Sequence, residues 1–142
     1  MKLVDANLLI YASNADAPLH GPARGWLEEV LSGDEPVGFA WLVLLAYLRL
    51  TTKPGLFPRP LRVAQAWEAI DAWLSRPAAA IVHPTPRHPD ILKELTLALG
   101  TGGNLTTDAH LAALAIEHGA ELCSCDGDFV GFPGLHWRDP LA

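Results

Sequence analysis

Short apolar runs alternate with longer stretches of helical period along this chain. Leu3-Val4 is apolar, ends at Asp5 and reads as a first strand. Asn7 to Ser13 (NLLIYAS) starts a helix. Pro22 to Ser32 predicts a second, with Pro in the first turn and Gly33 as its stop. Ala40 to Leu50 predicts a helix apolar almost all round, hence buried. Lys53 to Pro60 holds three prolines and a glycine, which makes it a loop. In Leu61 to Arg76, Val63, Ala66, Trp67, Ile70, Trp73 and Leu74 fall at helical spacing, and Pro77 closes the run. Ala79 to Val82 reads as a strand, Pro89 to Leu99 as a helix ended by Gly100-Thr-Gly-Gly, and Asn104 to Thr107 as a strand entering a helix Asp108 to His118. Gly119 is expected to stop that helix in the left-handed region. Ala120 to Cys125 predicts another strand; Phe129 to Trp137 is irregular, with a last strand at Leu135 to Trp137. Alternating strands and helices predict an α/β fold, a parallel sheet with helices on both faces.

The chain has 142 residues and shows no repeat or linker, so one domain spanning 1–142 is expected. Half of it is hydrophobic and only 18% is charged, which excludes a disordered tail. The longest uncharged apolar run, Gly38 to Leu48, falls short of the roughly 20 residues that span a bilayer. No membrane partner is expected. The opening Met-Lys-Leu-Val-Asp, with Asn7 close behind, does not resemble a signal peptide, which points to the cytoplasm. Cys123 and Cys125 have neither zinc spacing nor a disulfide framework and read as buried or half-buried thiols.

The net charge of −6 argues against a nucleic-acid binder, but its distribution is uneven. No acid lies between Glu35 and Glu68, whereas Arg49, Lys53, Arg59 and Arg62 do. Acids fall instead at expected strand ends: Asp5 after the first strand, Asp108 after the fourth, and Asp126 with Asp128 after a later one. Ligands of open parallel sheets bind at that edge. Each acid alone has a plain structural reading, as a helix cap for Asp5 and Asp108 and as a turn for Asp126-Gly127. Together they point to a cation, because clustered carboxylates repel one another unless protonated or neutralised. An all-oxygen donor set suits Mg²⁺ or Mn²⁺. Asn7, Thr107 and Ser124 flank the acids and are candidates to orient them.

Four stretches resemble the PIN-domain family of metal-dependent nucleases, most closely its VapC-type toxins. They are Leu3 to Ala12 (LVDANLLIYA), Trp41 to Thr52 ending in Tyr47-Leu-Arg-Leu-Thr-Thr, Asn104 to Ala115 (NLTTDAHLAALA), and Ser124 to Phe129 (SCDGDF). The resemblance implies a Mg²⁺- or Mn²⁺-dependent endoribonuclease, inhibition by a small cognate antitoxin protein, and usually a homodimer. By position, Asp5, Asp108 and Asp126 match the family's metal-binding acids and Asp128 an accessory one. There is one departure. Ala46 holds the place of the Glu that the family carries on the helix after its second strand. Glu117, nine residues beyond Asp108 and half a turn round the helix, is no substitute.

For RNA hydrolysis, Asp5, Asp108, Asp126 and Asp128 would hold metal that activates water and stabilises the leaving oxygen. Arg49, Lys53, Arg59 and Arg62 would position the RNA phosphates, or be a solvated basic loop. Trp26, Trp41, Trp67 and Trp73 read as core or dimer packing rather than base-stacking residues. His110 is at most a neighbour of the site. Gly100-Thr-Gly-Gly lacks the lysine of a phosphate loop. Two alternatives stay open: an aspartate-based phosphoryl-transfer or receiver domain, and a PIN-fold RNA- or partner-binding protein that has lost the reaction, for which Ala46 is the argument.

Overall fold

A computed structural model describes residues 1–100 and 103–142, with only the backbone of Asn104. Five strands form one sheet: β1 (Lys2–Val4), β2 (Val37–Ala40), β3 (Ala79–Val82), β4 (Glu121–Cys123) and β5 (Trp137–Arg138). Six helices connect them: α1 (Ala6–Ser13), α2 (His20–Leu31), α3 (Trp41–Thr52), α4 (Val63–Leu74), α5 (His88–Leu99) and α6 (Thr106–Glu117). The strand order is β3-β2-β1-β4-β5 and every pairing is parallel. The fold is therefore α/β, as the alternating pattern predicts.

The chain runs outward from β1 through β2 to β3, then crosses back to β4. Right-handed crossovers therefore put α1–α4 on one face of the sheet and α5 and α6 on the other. The order reverses between β1 and β4, so a crevice opens beyond their carboxyl ends. Leu3 and Val4 of β1, Phe39 of β2 and Leu122 of β4 are fully buried. Strands covered on both faces read as continuous apolar runs, which is why β1 and β4 show no alternation. Trp73 of α4 stacks on Phe39, with ring centroids 6.5 Å apart, and meets Tyr47 of α3 edge-on at 5.0 Å.

Gly38 is where β2 passes closest to its neighbours. A Cβ there would lie 2.6 Å from Val82 Cγ2 and 3.3 Å from Leu3 Cδ1, so the close approach of the strands requires glycine. Gly119 ends α6 at φ +62°, the left-handed stop that its position predicts.

Two expectations are corrected. Asn104 to Thr107 is not a strand: Gly103–Leu105 is a 3-10 turn and α6 starts at Thr106. Asp108 therefore stands in the first turn of a helix, not at a strand end. The strand β2 is not among the expected elements: it overlaps the start of the apolar run Gly38 to Leu48, and the expected helix from Ala40 begins only at Trp41. Strand and helix together fill residues 37–52, and periodicity alone does not divide them. The tryptophans also divide. Trp73 joins the core, whereas Trp41 and Trp67 are among the exposed large hydrophobics. Of the Gly100-Thr-Gly-Gly stop, Gly100 caps α5 at φ +69°; Thr101 and Gly102 lie outside the described residues.

Candidate metal centre

The carboxyl end of β1 delivers Asp5 directly into α1, where it is the N-cap. Its Oδ1 accepts from the Ala6 amide at 2.7 Å. Asp5 Oδ2 accepts from Ser124 Oγ at 2.7 Å and from Asn7 Nδ2 at 3.4 Å. Capping and a site role are thus compatible in one side chain. Ser124, fully buried just past β4, also accepts from the Asp126 amide at 3.0 Å and from Asn7 Nδ2 at 3.1 Å. Asn7 Oδ1 in turn accepts from the Cys125 amide at 3.2 Å. Asn7 and Ser124 therefore stitch the end of β1 to the loop after β4.

That loop folds back on itself. Asp126 Oδ1 accepts from the Asp128 amide at 2.9 Å, which starts the 3-10 turn Gly127–Gly131 and turns both acids to one side. Opposite them α6 presents Asp108. Asp108, Asp126 and Asp128 each offer a carboxylate oxygen, and these lie within 4.8 Å of one another. Asp5 stands beside this trio. Its carboxyl is raised above the ordinary carboxylate range mainly by burial, opposed by the Ser124 and Ala6 hydrogen bonds and reinforced by the Asp126 charge. The Asp108 carboxyl is pushed up to about 6, first by burial and then by the charges of Asp126, Asp5 and Asp128. Crowded acids at a sheet edge are the arrangement that a cation neutralises.

Thr107 lines the same crevice but makes no side-chain hydrogen bond to the acids among the described residues. It borders a hollow of about 140 Å³ with Asp5, Ala6, Leu42, Val43, Ala46, Arg49, Asp108 and Leu111. Ala46 therefore borders the crevice while packing against the core. Arg49 also reaches the hollow. Lys53, Arg59 and Arg62 do not: Lys53 caps α3, Arg59 borders a small recess with Ser13, Thr51 and Phe57, and Arg62 caps α4.

One polar cluster escaped sequence reasoning. Glu117, its side chain wholly buried, accepts from the Thr85 amide at 2.6 Å and pairs through Oε2 with His88 Nδ1 at 2.7 Å. His88 Nε2 then meets His110 Nδ1 at 3.0 Å. This chain pins α5 to the face of α6 that points away from Asp108. It places His110 outside the acidic cluster and explains why Glu117 contributes nothing to it. The one signal in sequence is that positions 110 and 117 are seven apart, on one helical stripe. Cys123 is buried and Cys125 half-buried, and burial, ahead of neighbouring carboxylates, pushes both thiols up to about 12, away from the thiolate form.

Residues 2–135 match the PIN domain, a span that includes β1 to β4, all six helices and Asp5, Asp108, Asp126 and Asp128. The chain belongs to the PIN-domain family. Its curated relatives in that family are VapC-type members. It is 52% identical to Ribonuclease VapC37 of Mycobacterium tuberculosis, over all of this chain and 99% of the relative. Identity to Ribonuclease VapC43 of the same organism is 40%, over 99% of this chain and 96% of that one. Among PIN-domain structures, the sarcin-ricin loop cleaving toxin VapC20 of M. tuberculosis superposes with a TM-score of 0.69 at 22% identity, covering 96% and 99% of the two chains. VapBC2 of Rickettsia felis, bound to a DNA fragment from its promoter, gives 0.71 at 20% identity, covering 96% of each. At that identity the likeness shows the fold. No helix among the described residues is long and apolar enough to cross a membrane.

Proposed function

We propose that this PIN-domain chain is a Mg²⁺- or Mn²⁺-dependent endoribonuclease, the toxin of a toxin–antitoxin pair, acting in the cytoplasm as one nuclease domain over residues 1–142. The observation that carries the metal is the convergence of the Asp108, Asp126 and Asp128 oxygens beside Asp5. The donor set fits a hard cation, since every donor is a carboxylate oxygen and no sulfur or imidazole is among them. Full-length identity to proteins named ribonucleases supports the substrate class, and likeness to VapB–VapC complexes supports a protein antitoxin. A homodimer follows from the resemblance. The family assignment sets aside the receiver-type alternative.

Bound in this cluster, a divalent ion would lower the pKa of water and neutralise charge on the attacked phosphate. Asp108, Asp126 and Asp128 would hold it, with Asp5 completing the set. Asn7 and Ser124 keep Asp5 and the 124–128 loop in place, so the carboxylates need little rearrangement on binding. Arg49, within reach of the crevice, and Lys53, Arg59 and Arg62 further along would bind RNA phosphates, which the acids alone repel.

Ala46 favours a second reading, a PIN-fold RNA- or partner-binding protein without the reaction. Thermal melting addresses the metal first. Binding at a hundredfold excess over Kd stabilises by about 2.7 kcal/mol, so millimolar Mn²⁺ raises the melting temperature by several degrees. A melting point indifferent to both Mn²⁺ and Mg²⁺ refutes the metal centre.

A further inference from the structure

The hollow beside the acids has two unlike walls. From α3 come Leu42, Val43, Ala46 and Arg49, and from the opposite side Asp5, Thr107 and Asp108. Leu42, Ala46 and Arg49 follow one another at four and three residues, a single stripe of the helix. That stripe offers no oxygen donor. On the other side, Asp5 already accepts from Ala6, Ser124 and Asn7. A second hard cation wants about six oxygens and would sit beside a guanidinium. Among the described residues the site therefore supplies one well-furnished cation position, at Asp108, Asp126 and Asp128, and a neighbouring space of about 140 Å³ whose α3 wall offers a guanidinium and no oxygen ligand.

Arg49 suits that space to an anion. It is exposed, and among the described residues it makes no ion pair and no side-chain hydrogen bond. Its planar fork of five N–H donors can meet two oxygens of a phosphate at once. No ion pair joins Arg49 to Asp5 or Asp108 among the described residues, so the guanidinium is not spent on the acids. A group that lines the same hollow as two carboxylates without pairing with them leaves room between for an anion.

We infer that the hollow is a phosphate subsite of a one-cation centre, in which Arg49 rather than a second metal ion meets the RNA backbone. The inference deepens the metal-nuclease reading and rests on it.

Two measurements on the full chain test it. Calorimetric titration with Mn²⁺ should give one ion per wild-type chain and one per Arg49→Ala chain, with affinities within about twofold. Binding of an uncleavable 2′-O-methyl oligoribonucleotide in Mn²⁺, read by fluorescence anisotropy, should weaken about tenfold in Arg49→Ala. The slope of log affinity against log salt should flatten by about 1, as for one lost phosphate contact. Arg49→Lys should recover part of the affinity and all of the slope, because it restores the charge without the fork. Two Mn²⁺ ions per wild-type chain, or unchanged affinity and slope in Arg49→Ala, would overturn the inference and leave the metal nuclease standing. No Mn²⁺ binding at all would overturn both.

Discussion

Ser124 Oγ donates to Asp5 Oδ2 at 2.7 Å across 119 residues of sequence, and the same oxygen accepts from the Asp126 amide at 3.0 Å. One buried hydroxyl thus joins the ends of two adjacent strands, β1 and β4, and sets the acids on them in fixed relation. Ser124→Ala removes a donor from a carboxylate and an acceptor from an amide at once. It should cost about 1–3 kcal/mol in urea unfolding. Mn²⁺ affinity measured by titration should fall roughly tenfold, the usual effect of losing a group that orients a ligand. Wild-type affinity in Ser124→Ala would show that the hydroxyl serves folding alone.

The raised Asp108 carboxyl sets a pH dependence. Its pKa is about 6 in the folded chain against an ordinary 3.8, so between these values the folded state holds the extra proton. The resulting loss of stability is absent below about 3.8 and complete above about 6. Asp5 acts with the same sign. His110, lowered by burial and then by His88, acts in the opposite sense around its ordinary 6.5. The clean readout is therefore a difference. Without metal, Asp108→Asn should be more stable relative to wild type at pH 7 than at pH 4. Mn²⁺ affinity of the wild type should weaken as pH falls below about 6, because the proton competes with the ion.

The fold class and the meeting of Asp108, Asp126 and Asp128 were legible in sequence for different reasons. Alternating apolar runs and helical stretches specify parallel strands with crossovers, and the acids mark the ends of β1 and the segment after β4. Asp108 was found by its surroundings in sequence but misplaced in structure. Asn104 to Thr107 is short, holds two β-branched threonines and reads as a strand; a 3-10 turn leads into α6 there instead. The partition of the run 37–52 into β2 and α3 was hidden because both elements are buried and no turn residue separates Ala40 from Trp41. The contacts of Glu117 with His88 and Thr85 were out of reach, since they form only once α5 and α6 pack. Among the four cations of the acid-free segment, charge counting had no means to separate Arg49 from Lys53, Arg59 and Arg62. The face of α3 separates it.

Glu117→Gln should separate structural from site effects. The amide keeps the shape but has one acceptor for two partners, so either the Thr85 amide loses its acceptor or the His88 ring must change tautomer to accept. A buried mismatch of this kind costs about 1–3 kcal/mol in chemical unfolding. Mn²⁺ affinity should stay within about twofold of wild type, because the residue faces away from Asp108. A tenfold loss of affinity would contradict that separation.

Ala46→Glu probes the bare wall of the crevice. Ala46 borders the hollow, so the longer side chain has space and, with Mn²⁺ bound, a cation to meet. The variant should fold, with a melting temperature within a few degrees of wild type, and bind Mn²⁺ more tightly, since added ligand charge strengthens such sites. Its affinity for uncleavable RNA should fall, because the new carboxylate occupies the space beside Arg49. A large stability loss that Mn²⁺ does not relieve would show the position to be core.

The most direct test is cleavage of RNA by the purified chain in Mn²⁺, in excess EDTA, and with Asp126→Asn in Mn²⁺. Endonucleolytic products are expected in Mn²⁺ alone, no products in EDTA, and a loss of at least a hundredfold in Asp126→Asn while its fold is intact by circular dichroism. Cleavage that persists in EDTA or in Asp126→Asn would contradict the metal-nuclease reading.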